Sequence, residues 1–564
     1  MKSIRYLLFS LVFISFSYSP KAQGSSASVE TPKNWHLLNR KETGYYGINL
    51  DKAYSLIKGK KSKTVVVAVI DSGIDTLHED LKPVLWRNPR EIPGNGKDDD
   101  KNGYTDDIYG WNFIGGKDGR NVKEDSYEAA RVYYKLKQKY GTIVPDTSSA
   151  TPLQKQEIKT YIKAREKIEE ESTGGIDIEF MKKINAAIHT SDSILKTAMN
   201  VPVFTAKDLD TLTNNDVAVT RAKSAFYGFM KANNSLDQTN KSFLEDFDEY
   251  LSSEAKKEEQ KTNPPKNFRS EIVGDDESNI NDRYYGNSDV MTGTPTHGTF
   301  CSGLIAASRN NGKGGDGIAD NVKIMMIRAV PDGDEHDKDI ANAIRYAVDN
   351  GAQIISMSFG KDFSPEKNWV DDAVKYAESN NVLIVHAAGN DKENNDTIDN
   401  FPNPVYADGT GRAPNFITVG ASGDPTNGGI TASFSNYGKK EVDLFAPGVQ
   451  VYSTMPGGNN YGKLSGTSFS CPIVAGVAAL LLEYYPDLSA SQLKYVIEKS
   501  ASPVAEMVNV PGTEEKANLS DISKSGGIVD AYEAVKLAAT IKGNRNINRS
   551  LIMANPKVIK KKRG

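Results

Sequence analysis

Residues 64–70 are an unbroken run of apolar and β-branched side chains. A strand that is apolar at every position must be covered on both faces, which places it inside a parallel sheet. Asp71 closes the run. Open parallel sheets carry their chemistry outside the C-terminal ends of their strands, so a carboxylate here stands where a site is expected. The rest of such a sheet follows only after a long interval. Strand signals at 322–327, 354–358, 382–387 and 416–421 alternate with helix signals at 339–349 and 369–379. That rhythm predicts an α/β, mostly parallel, doubly wound sheet. A short helix is expected within 45–57, a strongly apolar one over 472–484, and an amphipathic one over 489–500 with Ser489 as its N-cap. Residues 530–538 read as a short terminal helix.

Between about 121 and 283 the composition shifts to dense Lys and Glu, and Met181, Ile184, Ile188, Leu195 and Met199 recur at helical spacing. Residues 241–261 read as another helix with a charged face. The organisation expected is a signal peptide (1–22), a short leader (23–43), a first catalytic part (44–120), a charged, mainly helical insertion (121–283), a second catalytic part (284–538) and a basic tail (539–564). The signal peptide rests on Lys2 and Arg5 ahead of an apolar run, 6–16, that is too short to cross a bilayer, with cleavage near Ala22. It implies a secreted, periplasmic or cell-surface product. No later run has the eighteen apolar residues a membrane span needs. Lys and Arg number 69 against 73 Asp and Glu, a net charge of −4, which argues against a nucleic-acid partner. Two cysteines, Cys301 and Cys471, exclude a disulfide-stapled scaffold and are expected to be free thiols.

Three short constellations carry chemistry. Asp71-Ser72-Gly73 is a strand-end acid before a Gly turn, a feature of many α/β proteins. His297-Gly298-Thr299 opens a run of small residues to Ala307, suggesting a helix pressed on its neighbours with His297 in its first turn. Gly466-Thr467-Ser468-Phe469-Ser470-Cys471-Pro472 leads into an apolar helix; taken alone, Ser468 is equally an N-cap. Pro472 is compatible with a first helical turn.

Together, in this order, the three segments resemble the signatures of the subtilisin-like serine proteases. Residues 386–390 resemble that family's oxyanion-hole strand end, and 356–360 the strand lining its first substrate pocket. The likeness spans about 60–118 and 284–538. It implies a three-layer, mostly parallel doubly wound fold of subtilisin-like type. It further implies a catalytic set of Asp71, His297, Ser468 and Asn390, and pocket walls of Ser358, Phe359 and Gly360 facing Ala388 and Gly389. The expected activity is endopeptidase cleavage of protein or peptide substrates after an apolar or aromatic residue, since neither wall holds an acid. No organic cofactor is expected. Phe469 and Ile473 depart from the common Met and His, the Asp-to-His interval of 226 positions is unusually long, and residues 23–43 are too few for a propeptide domain. A noncatalytic binding shell and another hydrolase remain as alternatives; an esterase would usually carry a Gly-x-Ser-x-Gly elbow, which 466–470 lacks.

Asp98, Asp100, Asn102, Tyr104 (by its carbonyl) and Asp106 place oxygens at alternate positions around Gly103, like the start of an EF-hand loop without its terminal Glu, which suggests structural Ca2+. No zinc pattern exists. His36, His78, His189 and His336 read as isolated surface residues, and His386 as a hydrogen-bonded packing residue in a buried strand.

Overall fold

The computed structural model describes residues 31–142, 148, 150–170, 177–233, 236, 239–292, 295–424 and 427–546. The expected signal peptide and the end of the basic tail lie outside them. The central element is a ten-stranded sheet. Its strands are β1 (Val65–Asp71), β2 (Gly110–Asn112), β3 (Val322–Arg328), β4 (Ile354–Met357), β5 (Leu383–Ala387), β6 (Phe416–Asp424), β7 (Asn427–Thr431) and β8 (Leu444–Pro447), with two-residue pieces at Ser502–Pro503 and Gly527–Ile528. β1 lies between β3 and β4, parallel to both, and β5, β6 and β8 continue the parallel run beyond β4. β2 caps the other edge, and β7 folds back antiparallel on β6.

The unbroken apolar run of β1 is explained by its two coverings. Val65, Val67 and Val69 face one core with the helices Leu50–Ile57, Thr296–Ala306, Thr467–Tyr484 and Ala490–Ser500, while Ala68 and Ile70 face the other with Asp337–Asp349 and Lys367–Ser379. Ser489 caps its helix through a reciprocal bond with Gln492. The apolar helix starts five residues before the stretch expected from its hydropathy. It runs Thr467–Tyr484 and is 89% buried, a core helix despite a length that could cross a membrane. Pro472 therefore sits inside the helix rather than in its first turn. The helix expected within 45–57 is confined to Leu50–Ile57, because Asn49 takes a left-handed conformation.

Between β2 and the helix Thr296–Ala306, the described residues form helices Glu128–Tyr140, Pro152–Glu170, Ile178–Met199, Ala206–Thr211, Val217–Ala232, Asn240–Thr262 and Phe268–Ile272. Two separate apolar clusters hold this segment. One, built on Leu195, Phe204, Phe226, Met230 and Phe243, is its own. The other, built on Ala130, Tyr133, Leu136, Tyr161 and Ile168, also contains Phe363 from the loop after β4.

Candidate active site

Asp71 ends β1, with its backbone carbonyl accepting from Ala329 and Val330 at 3.0 and 3.4 Å and its Oδ1 accepting from Ser72 N at 2.7 Å. The turn after it requires Gly73, which holds φ +130° and whose Cβ, were there one, would meet the Val290 carbonyl at 2.9 Å. Arg328, at the end of β3, donates Nε to Ser72 O at 2.9 Å and Nη2 to Val122 O at 2.6 Å, bracing the same turn.

His297 occupies the first turn of Thr296–Ala306. Gly298 is what lets that turn press on the sheet: a Cβ there would lie 2.2 Å from Gly73 O and 3.1 Å from the Asp71 Cβ. Both Asp71 carboxylate oxygens lie 2.9 Å from His297 Nδ1. The carboxylate side chain is only 3% exposed and the imidazole 36%. Burial pushes the imidazole toward neutrality, but the adjacent Asp71 charge outweighs it and holds the pKa well above the ordinary 6.5.

Ser468 is the second residue of the core helix, where backbone N–H groups have no partner within the helix. Its neighbourhood follows from Pro472. A proline four residues on has no N–H to give the Ser468 carbonyl, and two side chains take that place: Ser358 Oγ donates to it at 2.8 Å and Cys301 Sγ at 3.4 Å. Ser468 Oγ in turn donates to Ser358 O at 3.2 Å, not to His297. Cys301 Sγ also lies 3.9 Å from His297 Nδ1, and the Phe469 ring 5.4 Å from the imidazole, so the two residues border one small volume. Cys301 and Cys471 are both free and buried, and burial raises both thiol pKa values, Cys471 to about 12, which keeps them protonated and inert.

Asn390 follows the end of β5. Its Oδ1 accepts from Thr467 N and Oγ1, each at 2.9 Å, which sets the flip of the amide and leaves Nδ2 as its donor toward a ligand. The two expected pocket walls are joined by Asn400, a residue that carries no local sequence signal. Its Nδ2 donates to Ala388 O at 2.9 Å, and its Oδ1 lies 2.5 Å from where a Gly360 Cβ would stand. Gly389, at φ +106°, is backed in the same way by Asn436. Ala388 is fully buried.

The acidic loop is arranged differently from the sequence expectation. Asp98 and Asp100 come together with Glu91, and one carboxylate oxygen from each lies within 4.8 Å of the others. Glu91 was not expected, because it precedes the alternating pattern. Asp106 turns away: in a left-handed conformation it accepts from Gly94, Asn95 and Gly96 N–H groups at 2.9, 3.3 and 2.7 Å. Asn102 spends its Oδ1 on Tyr104 N, and the Tyr104 ring is buried. Buried Asp107 closes the cluster from below, pushed up to about 7 by burial despite hydrogen bonds from Tyr346, Asn88 and Asn102. The carboxylates of Glu91, Asp98 and Asp100 accept backbone N–H groups, Glu91 from Asp99, Asp100 and Asp106, Asp98 from Asn102 and Gly103, and Asp100 from Asn102. With Arg90 3.0 Å from Asp100, they form an oxygen donor set suited to a hard cation.

Three histidines expected at the surface are buried. His36 carries an unpartnered Nδ1 and is pushed down to about 3 by burial. His78 binds Asn460 O. His336 bridges two carboxylates, Asp125 at 3.0 Å and Glu277 at 2.8 Å. His78 and His336 are bonded by partners far away in sequence. His189 is exposed, beside Asp248. His386 is buried as expected, but its Nε2 has no hydrogen-bond partner.

The sequence model of the subtilase family matches residues 62–528. Thermophilic serine proteinase of Bacillus sp. strain AK1 is 38% identical over 210 residues, 37% of this chain and 47% of that protein. Thermitase of Thermoactinomyces vulgaris is 37% identical over 210 residues, covering 37% of this chain and 68% of thermitase. Subtilisin DY of Bacillus licheniformis is 36% identical over 211 residues, covering 37% and 72%. The similar part thus spans about half the length of the first of these relatives and about two thirds or more of the others. With that match running through the strand that ends in Asp71, the His297 helix and the Ser468 helix, the chain belongs to the subtilase family of serine proteases.

Proposed function

We propose that this chain is an exported serine endopeptidase that cuts peptide bonds of proteins and peptides through an acyl-enzyme on Ser468. The Asp71–His297 pair carries the reading: both carboxylate oxygens are committed to Nδ1, which leaves Nε2 of a partly exposed ring for proton transfer. Rotation about the Ser468 Cα–Cβ bond would move Oγ from the Ser358 carbonyl to Nε2, a contact that commonly tightens only with substrate bound. Oγ then attacks the substrate carbonyl carbon while its proton passes to Nε2. The imidazolium returns that proton to the leaving amine as the C–N bond breaks, and water repeats the sequence on the ester. Asp71 keeps its charge throughout, fixing the tautomer and stabilising the imidazolium. Asn390 Nδ2 and the Ser468 N–H serve as donors to the oxyanion.

Apolar or aromatic residues are favoured before the cut, because Ser358, Phe359, Gly360, Ala388 and Gly389 offer no carboxylate to a basic side chain. Residues 121–283 are an insertion into the catalytic body, and Lys2, Arg5 and the apolar run after them direct export. Glu91, Asp98 and Asp100 hold Ca2+ in a stabilising role remote from the chemistry. A serine-reactive phosphonate should label the purified protein and leave Ser468→Ala unlabelled. Equal labelling of both would overturn the assignment of the nucleophile, and cuts falling chiefly after Lys or Arg in a peptide library would overturn the pocket preference.

A further inference from the structure

The three residues that follow the Ser358–Gly360 wall are each held by the helical segment 121–283. The Lys361 side chain is 1% exposed, and its Nζ donates to Glu128 Oε2 at 2.8 Å, to Asp337 Oδ1 at 2.9 Å and to Glu335 O at 2.8 Å. Asp362 receives Lys167 on its carboxylate and Lys163 on its carbonyl, the latter at 3.4 Å. Phe363 is buried in the apolar cluster of helices Glu128–Tyr140 and Pro152–Glu170. Glu128 is itself held by Arg131, whose guanidinium also donates to Asp334 O and Glu335 O. On the other side of the wall stands the nucleophile, through the reciprocal Ser358–Ser468 bonds.

A contiguous path therefore runs from the helix Glu128–Tyr140 through Lys361, directly after the wall and three residues from Ser358, to Ser358 and Ser468. The backbone of Lys361 pairs in both directions with Phe401, which fixes its position along the chain, and the side chain adds the sideways anchor. A lysine can hold this place only because two carboxylates and a carbonyl replace its water.

We propose that Lys361 is a positioning residue for the substrate pocket, anchoring the Ser358–Gly360 wall to Glu128 and Asp337, so that the root of the helical segment is a working part of the specificity site. The proposal rests on the serine-peptidase reading of that site, and the segment thereby acts as support for the pocket rather than as an appendage.

The test compares full-length Lys361→Met, Lys361→Arg and Glu128→Gln with the unsubstituted protein, each normalised to active sites titrated with the phosphonate. A shifted wall should raise KM for a short peptide by about tenfold to a hundredfold in Lys361→Met, since small displacements in binding geometry are costly. It should also blur the preference at the residue before the cut, and it should leave the acid limb of the pH profile where His297 puts it. Glu128→Gln, on the far side of the anchor, should move KM and preference the same way by less, and Lys361→Arg should restore part of the loss. Lower melting temperature in Lys361→Met or Glu128→Gln with KM and preference unchanged per titrated site would show a purely structural ion cluster and overturn the proposal. Should Lys361→Met fail to fold, Glu128→Gln decides alone by the same readouts. Failure of the unsubstituted protein to label would instead overturn the underlying peptidase reading.

Discussion

The Asp71–His297 pair and the Asp125–His336–Glu277 group do opposite things with the same kinds of side chain. At Asp71–His297, both carboxylate oxygens converge on one ring nitrogen and the other nitrogen is left on a side chain that is 36% exposed. At His336, Asp125 takes Nε2 and Glu277 takes Nδ1, with the imidazole 9% exposed. A ring bonded to carboxylates at both nitrogens donates both N–H groups and has no free nitrogen to accept a proton from a substrate; it is a strut. Burial beside an acid therefore does not mark a catalytic histidine. The two rings differ at the second nitrogen, which is left to a partly exposed ring at His297 and is bonded to Glu277 at His336.

The comparison breaks most sharply under mutation. Asp71→Asn or His297→Ala should lower kcat by roughly four powers of ten with little change in melting temperature, and double variants should lose little more, because the residues act as a unit. His336→Ala should do the reverse. It leaves buried Asp125 without its imidazole, a loss on the order of 3–5 kcal/mol for breaking a buried ion pair. Glu277, its side chain 40% exposed and screened by solvent, adds little. Per titrated site, kcat should fall far less than in the Asp71 and His297 variants. Denaturant unfolding beside steady-state kinetics separates the two, and a His336→Ala protein of unchanged stability but lost kcat would invert the assignment. The strut also has a pH sign. Burial and Arg131 push the His336 pKa down, but the two carboxylates more than offset them and the net shift is upward. Its stabilisation is therefore complete below the unfolded value of about 6.5 and is lost as pH rises through the higher folded value.

The histidines also mark what can be read from a chain and what cannot. The β1 run, the strand–helix alternation after residue 322 and the Ser489 cap are local patterns with local causes, and the sheet follows them. Gly73, two residues after Asp71, and Gly298, next to His297, are glycines that local packing requires, so those neighbourhoods are legible before their meeting is. His336, by contrast, is buried by Asp125 and Glu277, 211 positions away in the first case, and nothing in its own neighbours announces that. Asn400 and Lys361 are alike: their partners are set by which loops the sheet brings together. Glu91 joins Asp98 and Asp100 only because the chain folds back before the alternating acids begin. The interior place of Pro472 was hidden because the helix starts with the small polar residues Thr467 and Ser468, ahead of its apolar stretch.

The acidic loop extends the contrast to carboxylates without an imidazole. His336 meets its two carboxylates as a cation, whereas Glu91, Asp98 and Asp100 crowd together on backbone N–H groups, with Arg90, 3.0 Å from Asp100, as the cation beside them. Ca2+ at a hundred times its dissociation constant should stabilise the fold by about 2.7 kcal/mol. Calorimetry should record a higher melting temperature with Ca2+, reversed by chelator, and a smaller increment in Asp100→Ala. Equal melts with and without Ca2+ would refute the site.

The smallest effect is the most diagnostic of the free nitrogen on His297. To act as a base the ring must be neutral, so activity falls as pH drops through its pKa. What burial alone does to an imidazole in this protein is visible at His36, which is pushed down to about 3. At His297 burial acts in the same direction, yet the Asp71 charge outweighs it and the pKa lies well above 6.5. The acid limb of kcat/KM should therefore fall above pH 6.5, with its displacement reduced by salt because the ring is partly solvent-exposed. Asp71→Asn removes the charge and leaves the burial, so its residual activity should show a limb at lower pH. A limb at or below 6.5 in the unsubstituted protein, or one that stays fixed in Asp71→Asn, would mean that the imidazole does not feel the carboxylate as the geometry requires.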